Sequence, residues 1–354
     1  METTSTLKIT KRDNSKIADV DFNNLAFGSV FTDHMFSVEY VNGQWQQPEI
    51  VPYGPISMDP SAKVFHYGQA VFEGMKAFKD DQGDIFLFRP EDNWERINTS
   101  SARLAMPELP KEVFMEGLME LLKLDEAWIK AGDGNSLYIR PFHIATQPGV
   151  SASPSDRYKF MIILAPAQSY YSGEVSVVFA EKYSRAASGG VGYAKAAGNY
   201  AAQFYPTNLA KEEGYQQVIW TDANTHEYLE EAGTMNVFFR VGDKLITAPT
   251  NDTILNGITR KSIIQLAEAA GITVEVRPVA VKEIVAAAQA GELKEIFGVG
   301  TAAVVVPFKS FAYKGEDHKL NAPENSYGVQ FKKDLNDIQY NRTEDKYGWR
   351  VAVK

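Results

Sequence analysis

Lys195 stands in Gly189-Gly-Val-Gly-Tyr-Ala-Lys195-Ala-Ala-Gly-Asn-Tyr200, among small and aromatic residues with no acid nearby in sequence. That setting makes it a candidate for burial. Taking an ammonium out of water favours the neutral amine, which attacks carbonyls to form Schiff bases. The plainer alternative is a solvated lysine in a flexible Gly-rich turn. Nucleotide readings fit the stretch poorly. Gly190-Val-Gly192 lacks the third glycine of a dinucleotide fingerprint, and Ala196 stands where a P-loop needs Ser or Thr.

A second feature is Glu230-Glu231-Ala-Gly-Thr234-Met-Asn236, two acids just before an apolar hairpin. A carboxylate turned inward there needs a cationic partner, and a protonated pyridine nitrogen is one. The alternative is a solvated turn. Two further segments look like anion cups. In Leu255-Asn-Gly257-Ile-Thr259-Arg, a glycine and a threonine open an amphipathic helix whose free N–H groups and positive dipole end suit phosphate, unless Thr259 is an ordinary N-cap. In Glu295-Ile-Phe-Gly298-Val-Gly300-Thr301-Ala302, two glycines let backbone amides approach a ligand, unless this is a plain turn. Arg96, on a helix expected after Asp84-Ile-Phe-Leu-Phe, has the fork geometry to clamp phosphate or to form a surface ion pair. The aromatic run Phe65-His-Tyr67-Gly-Gln-Ala-Val-Phe72-Glu-Gly-Met-Lys-Ala-Phe78 is either core or a substrate wall. The five histidines show no ligand spacing, so no metal is expected.

The elements that must position these groups follow from periodicity. Phe114, Leu118, Leu121, Leu122 and Trp128 recur at helical spacing, predicting a helix over Lys111 to Lys130. In Ser136-Leu-Tyr-Ile-Arg-Pro-Phe-His the period of two puts Tyr138 and Arg140 on one face. Phe160 to Pro166 reads as a buried strand, a hairpin is expected around Gly242-Asp243, and helices are expected from near Thr259 to Gly271 and from Lys282 to Ala290. After Tyr313 the pattern turns helical through Tyr327 to Tyr340 and then frays.

A chain of 354 residues with 44% hydrophobic residues suffices for about two domains. The expected division is a smaller α/β domain over 1–167, a connection over 168–174, and a larger domain over 175–354 that carries Lys195. The net charge of −9 gives no electrostatic reason to approach nucleic acid or an anionic membrane. Cysteine is absent, which removes disulfides and thiolate chemistry together. The start Met-Glu-Thr-Thr-Ser-Thr lacks a basic region followed by an apolar core, and no stretch approaches the length of a membrane span, so a soluble cytoplasmic protein is expected.

Taken together, Phe31-Thr-Asp-His-Met, His66-Tyr67-Gly-Gln-Ala-Val-Phe72-Glu-Gly-Met-Lys-Ala-Phe, Phe88-Arg-Pro, Leu137-Tyr-Ile-Arg-Pro, Lys195-Ala-Ala-Gly-Asn-Tyr200, Glu231-Ala-Gly-Thr-Met-Asn and Gly300-Thr-Ala resemble, in order, the branched-chain amino acid aminotransferases. The likeness runs from about Phe27 to Tyr340. It implies the two-domain D-amino-acid-aminotransferase-like fold, fold type IV, an α/β (α+β) architecture binding pyridoxal 5'-phosphate. By that resemblance Lys195 carries the cofactor and is the catalytic residue, Tyr200 bonds the cofactor's phenolic oxygen and Glu231 pairs with its ring nitrogen. Arg96, Ile258, Thr259 and Thr301 then hold the phosphate, and Thr234 in the Glu231 motif is a further cofactor-binding residue. Phe31, Tyr67, Phe72, Tyr138 and Tyr170 match the wall of the apolar side-chain pocket, and Arg140, Thr301 and Ala302 match groups near the substrate carboxylates.

The implied reaction moves the amino group of leucine, isoleucine or valine to 2-oxoglutarate, giving glutamate, with Lys195 as anchor and base. A homodimer is implied, with a loop around Gln147-Pro-Gly-Val near the partner. Two departures from the pattern stand out. Ala303 and Val306 occupy the positions of a redox-active Cys-x-x-Cys found in some relatives, and Ala197 replaces a glycine after the lysine. The alternatives on the same fold are a D-amino-acid aminotransferase or an aminodeoxychorismate lyase, and outside it a non-catalytic binding module.

Overall fold

Burial alternates along Ser136–Ala145 from Ile139 onward, giving that strand two distinct faces, and the apolar run 160–167 within Tyr158–Ala167 suits a strand buried on both. They pair antiparallel along their full lengths in the computed structural model, which describes residues 6–168 and 175–354. The chain divides into two units. The first is Met1–Tyr170 with Ala194–Ala197 and Asp337–Lys354, and the second is Tyr171–Tyr193 with Gly198–Asn336. The sequence division placed both Lys195 and the tail after residue 337 in the second part. Pairing decides otherwise: Ala196 bridges Val71, and Arg350–Ala352 adds a strand to Ile85–Phe88.

In the first unit that central strand pair is flanked by His34–Val41 on one side and by Met75–Lys79, Ile85–Phe88 and Arg350–Ala352 on the other, all antiparallel. The helix Lys111–Leu124 lays Phe114, Leu118, Leu121 and Leu122, all fully buried, into this unit's core. Each such side chain contributes about 1.5–3 kcal/mol relative to exposure. The helix stops short of the expected Lys130 because Asp125 is captured: His34 donates its backbone N–H to Asp125 (3.0 Å), and the imidazole Nδ1 lies 2.6 Å from the same carboxylate. A 3-10 turn, Glu126–Trp128, follows and carries Trp128 into the core.

The tail does not fray after the helix Tyr327–Gln339. Asn341 donates to Asp80 (2.7 Å), Arg350 donates to the Ile338 carbonyl (2.8 Å), and buried Trp349 meets Phe88 edge-on. Asp80 and Phe88 lie far away in sequence, which is why local polarity misreads the segment.

His143 gives this unit a pH dependence. Its ring is buried against Trp45, Tyr158 and Phe160, and burial pushes its pKa down to about 3. An unfolded histidine titrates near 6.5, so below that value the unfolded chain binds a proton that the folded chain refuses. Stability is therefore full above pH 6.5 and falls as the pH drops towards the folded value, by about 2 kcal/mol at pH 5. Denaturant melts of the His143→Gln variant between pH 8 and pH 5 should show a flatter acid limb than wild type.

The second unit holds another ten-stranded sheet among the described residues. Val175–Phe179 lies parallel to both Gln217–Thr221 and Val304–Tyr313, whereas Asn236–Val241 pairs antiparallel with Lys244–Thr247 and with Leu293–Gly300. Helices Ile258–Ala269 and Val281–Gln289 bury Ile263, Ala267, Ile284 and Ala287. At its far end Glu295, buried beside Arg240 (2.9 Å), caps Tyr327–Gln339 by accepting from the N–H groups of Tyr327 and Gly328 at 2.8 and 3.1 Å. Among the described residues no helix is long and apolar enough to cross a membrane.

Candidate active site

Three backbone contacts fix Lys195 in the first unit. Its N–H donates to Ser100 Oγ (2.9 Å), its carbonyl accepts from Phe72 N–H (3.1 Å), and Ala196 bridges Val71. Its Nζ lies 4.7 Å from the centre of the Phe72 ring, a cation–π distance. The side chain is half-buried rather than deeply buried. Among the described lysines the most deeply buried is Lys63, 2% exposed, whose ammonium is saturated by the Ser153 carbonyl (2.8 Å), Ser153 Oγ (2.7 Å) and the Pro154 carbonyl (3.0 Å). That lysine holds a loop.

The helix Pro90–Arg103 presents Asn93, Arg96 and Ser100 at helical spacing on one face. Arg96 does not form a surface ion pair. Its Nε and Nη2 donate to the two oxygens of Glu73 at 2.6 and 2.8 Å, and Asn93 adds a bond of 2.7 Å to the same carboxylate. Glu73 is fully buried. Burial pushes its pKa up, but the charge and hydrogen bonds of Arg96, then the charge of Lys195, outweigh this and hold it below the ordinary value. Sequence reasoning quoted Glu73 within a motif and gave it no role. The signal was a lone acid between the strands Ala70–Phe72 and Met75–Lys79.

Tyr138 and Arg140 do share a face: Arg140 Nη2 donates to the Tyr138 hydroxyl (3.1 Å), and the guanidinium lies 4.8 Å from the Phe72 ring centre. Arg140 Nε is buried with no hydrogen-bond partner. Gly74 makes room for this pair, since a Cβ there would stand 2.2 Å from the Tyr138 hydroxyl. Two further expected wall residues have partners of their own in the unit. Phe31 stacks on Tyr53, and Tyr67, 46% exposed, donates to the Val150 carbonyl. Tyr170 lies outside the described residues. Tyr200 is half-buried on the short helix Ala197–Ala201.

In the second unit both acids of the Glu230-Glu231 pair are buried, not one. They are adjacent on the strand Tyr228–Ala232, so their side chains leave opposite faces. Glu231 sits 2.7 Å from Arg185 Nε and accepts from Leu255 N–H (3.2 Å) and Asn236 Nδ2 (3.3 Å). Arg185, the buried counter-charge, was not foreseen, because nothing local in sequence links it to Glu231. Its Nη2 is fixed by the carbonyls of Gly192 and Thr253 at 2.7 and 2.6 Å.

The two segments read as anion cups adjoin this acid. Gly257, not Thr259, is the N-cap of the helix Ile258–Ala269, with no side-chain cap on the first turn. A Cβ at Gly257 would stand 1.9 Å from Asn236 Oδ1, so only glycine lets the helix start so close. Asn236 pairs in register with Val299, which places the turn carrying Thr301 and Ala302 just beyond that row. Thr234 is exposed in the turn before Asn236.

Residues 70–311 match the family model described as Amino-transferase class IV. The chain belongs to this family. It is 46% identical over 353 residues to a probable branched-chain-amino-acid aminotransferase of Staphylococcus epidermidis, covering 98% of each chain. To branched-chain-amino-acid aminotransferase 2 of Bacillus subtilis it is 43% identical over 341 residues, 94% of this chain and 93% of the relative. In fold it is similar to the branched-chain aminotransferase of Thermobaculum terrenum solved in its PLP form, with a TM-score of 0.74 at 23% identity over 91% of this chain and 98% of that one. These likenesses place the chain among the branched-chain aminotransferases of class IV, fold type IV enzymes that work with pyridoxal phosphate, and not with the D-amino-acid aminotransferases or lyases of that fold.

Proposed function

We propose that this class IV aminotransferase takes the amino group of L-leucine, L-isoleucine or L-valine and passes it reversibly to 2-oxoglutarate, with Lys195 as covalent anchor and proton carrier. The observation that carries this reading is the gathering of Lys195, Phe72, Tyr138 and Arg140 in the first unit, an amine and a guanidinium 4.7 and 4.8 Å from the centre of one aromatic ring. The donor set fits pyridoxal phosphate. Arg140 Nε is a buried donor lacking an acceptor, as a site for a carboxylate requires, and the first turn of Ile258–Ala269 carries no side-chain cap, as a phosphate site at a helix start requires.

When bound, pyridoxal phosphate supplies the electron sink that lets the substrate's Cα–H bond ionise. The protein's own groups do the rest. Lys195 Nζ takes the α-proton and returns it. Glu231, with Arg185 as counter-charge, holds the proton at the ring nitrogen, and Tyr200 donates to the phenolic oxygen. Arg96, the amides of Ile258 and Thr259, and Thr301 hold the phosphate. Phe72 and Tyr138, with Phe31 and Tyr67, wall the aliphatic chain, while Arg140 and the turn at Thr301 and Ala302 receive carboxylates.

Absorbance of the purified protein should show the lysine-bound cofactor and shift on adding L-leucine. A clear preference for D-alanine, or no cofactor band, rejects the reading. The Gly74→Ala variant, whose new methyl displaces Tyr138 from Arg140, should keep the cofactor band while KM for 2-oxoglutarate rises about tenfold.

The same reading carries a cytoplasmic homodimer. Its support is apolar surface: Phe65, Tyr67 and Val150 are 61%, 46% and 65% exposed around the loop that Lys63 holds. Light scattering should give twice the 39.4 kDa of one chain.

A further inference from the structure

We propose that Glu73 is the positioning residue for the cofactor's phosphate, fixing the plane in which Arg96 meets it and supplying the counter-charge beside Arg96 and Lys195. The proposal rests on the reading that Arg96 binds that phosphate.

An arginine side chain reaches a ligand through several rotatable bonds, and an unrestrained one loses that freedom on binding. Arg96 has lost it beforehand. Both oxygens of Glu73 engage its Nε and Nη2 at 2.6 and 2.8 Å, which fixes the guanidinium plane and the direction of its remaining edge. Glu73 is itself fixed by Asn93 Nδ2 (2.7 Å), by Gly74 N–H (3.1 Å), and through its own N–H by the Pro141 carbonyl (2.8 Å). It has no solvent exposure.

A buried ion pair of this kind brings little net stability over apolar residues of similar volume. Its place in the molecule is therefore informative. The helix face that offers Asn93 and Arg96 to Glu73 also offers Ser100 to the backbone of Lys195, so one face sets the guanidinium and the amine together. Two cations near one another repel, and the Glu73 carboxylate offsets that repulsion before the dianionic phosphate arrives. The low proton affinity of Glu73, in which both Arg96 and Lys195 participate, keeps that counter-charge in place at neutral pH.

The test compares equilibrium binding of pyridoxal phosphate and of pyridoxal, which lacks the phosphate, to the full chain stripped of cofactor. Wild type, Glu73→Gln, Arg96→Lys and the double variant are titrated, with melting curves recorded for each. The expected result is a loss of about tenfold or more in affinity for pyridoxal phosphate in each single variant, little change for pyridoxal, and no further loss in the double variant. Equal losses for both ligands make Glu73 a support of the fold alone and overturn the proposal, as does an unchanged affinity. Failure of wild type to bind either ligand overturns the cofactor reading itself. If Glu73→Gln melts before binding can be measured, Glu73→Asp keeps the charge but is one methylene too short for the fork, and the same selective loss is expected.

Discussion

The Lys195→Ala variant is expected to turn over L-leucine and 2-oxoglutarate at less than roughly 10⁻⁴ of the wild-type rate, at least about 5 kcal/mol of transition-state stabilisation. Two functions vanish with one amine: the covalent anchor and the group that moves the α-proton. The fold should survive. What fixes this segment is its main chain, through Ser100 Oγ, Phe72 N–H and the bridge to Val71, and alanine keeps all three. The side chain is half-buried and packs its Nζ against the Phe72 ring, so the melting transition should move little. Steady-state rates, a melting curve, and borohydride fixation of cofactor followed by peptide mass settle the matter. Persistence of both turnover and fixation at the variant chain rejects Lys195 as the anchor.

Sequence alone reached the side chains whose roles follow from local pattern. The period of two put Tyr138 and Arg140 together, and a bond of 3.1 Å joins them. The apolar helix Lys111–Leu124 was visible from its spacing, and only its end was misplaced, because Asp125 answers to His34 in a different element. What stayed hidden depends on partners distant in the chain. Arg96 was given the choice of phosphate or a surface acid, and its partner is a buried acid in a strand-to-strand connection. The small and aromatic neighbours of Lys195 argue for its burial, yet Lys63 is buried more deeply, since three oxygens from a loop far along the chain satisfy its ammonium. Composition of a segment reports what it can tolerate. It does not report which remote group comes to meet it.

The adjacent acids Glu230 and Glu231 make the sharpest test of that distinction, because residue type and sequence neighbourhood are the same for both. Glu231 faces Arg185 at 2.7 Å with two further N–H donors, so removing its charge strands a buried guanidinium. Glu231→Ala should cost about 3–5 kcal/mol of stability. Glu231→Gln keeps the volume and an acceptor but not the charge, and should lose about 10²–10³ in turnover while still binding cofactor. Glu230 leaves the other face of the strand, where Thr253 Oγ1 donates to one oxygen (2.6 Å) and the other oxygen has no partner. Burial pushes its pKa up, more than Thr253 and the charge of Arg185 draw it down. A raised folded value means that its contribution is intact below the unfolded value near 4.3 and is lost as the pH climbs through the folded one. Glu230→Gln, the uncharged likeness of the protonated acid, should therefore stabilise the protein at pH 8 relative to wild type, with the advantage shrinking towards pH 4. Melting temperatures of both glutamine variants across that range separate the two carboxylates, and parallel pH curves would mean that the strand does not divide them. Glu231, with a buried guanidinium and two N–H donors around it, is the acid built to stay ionised facing a ring nitrogen, whereas Glu230 has one hydroxyl donor and an oxygen without a partner.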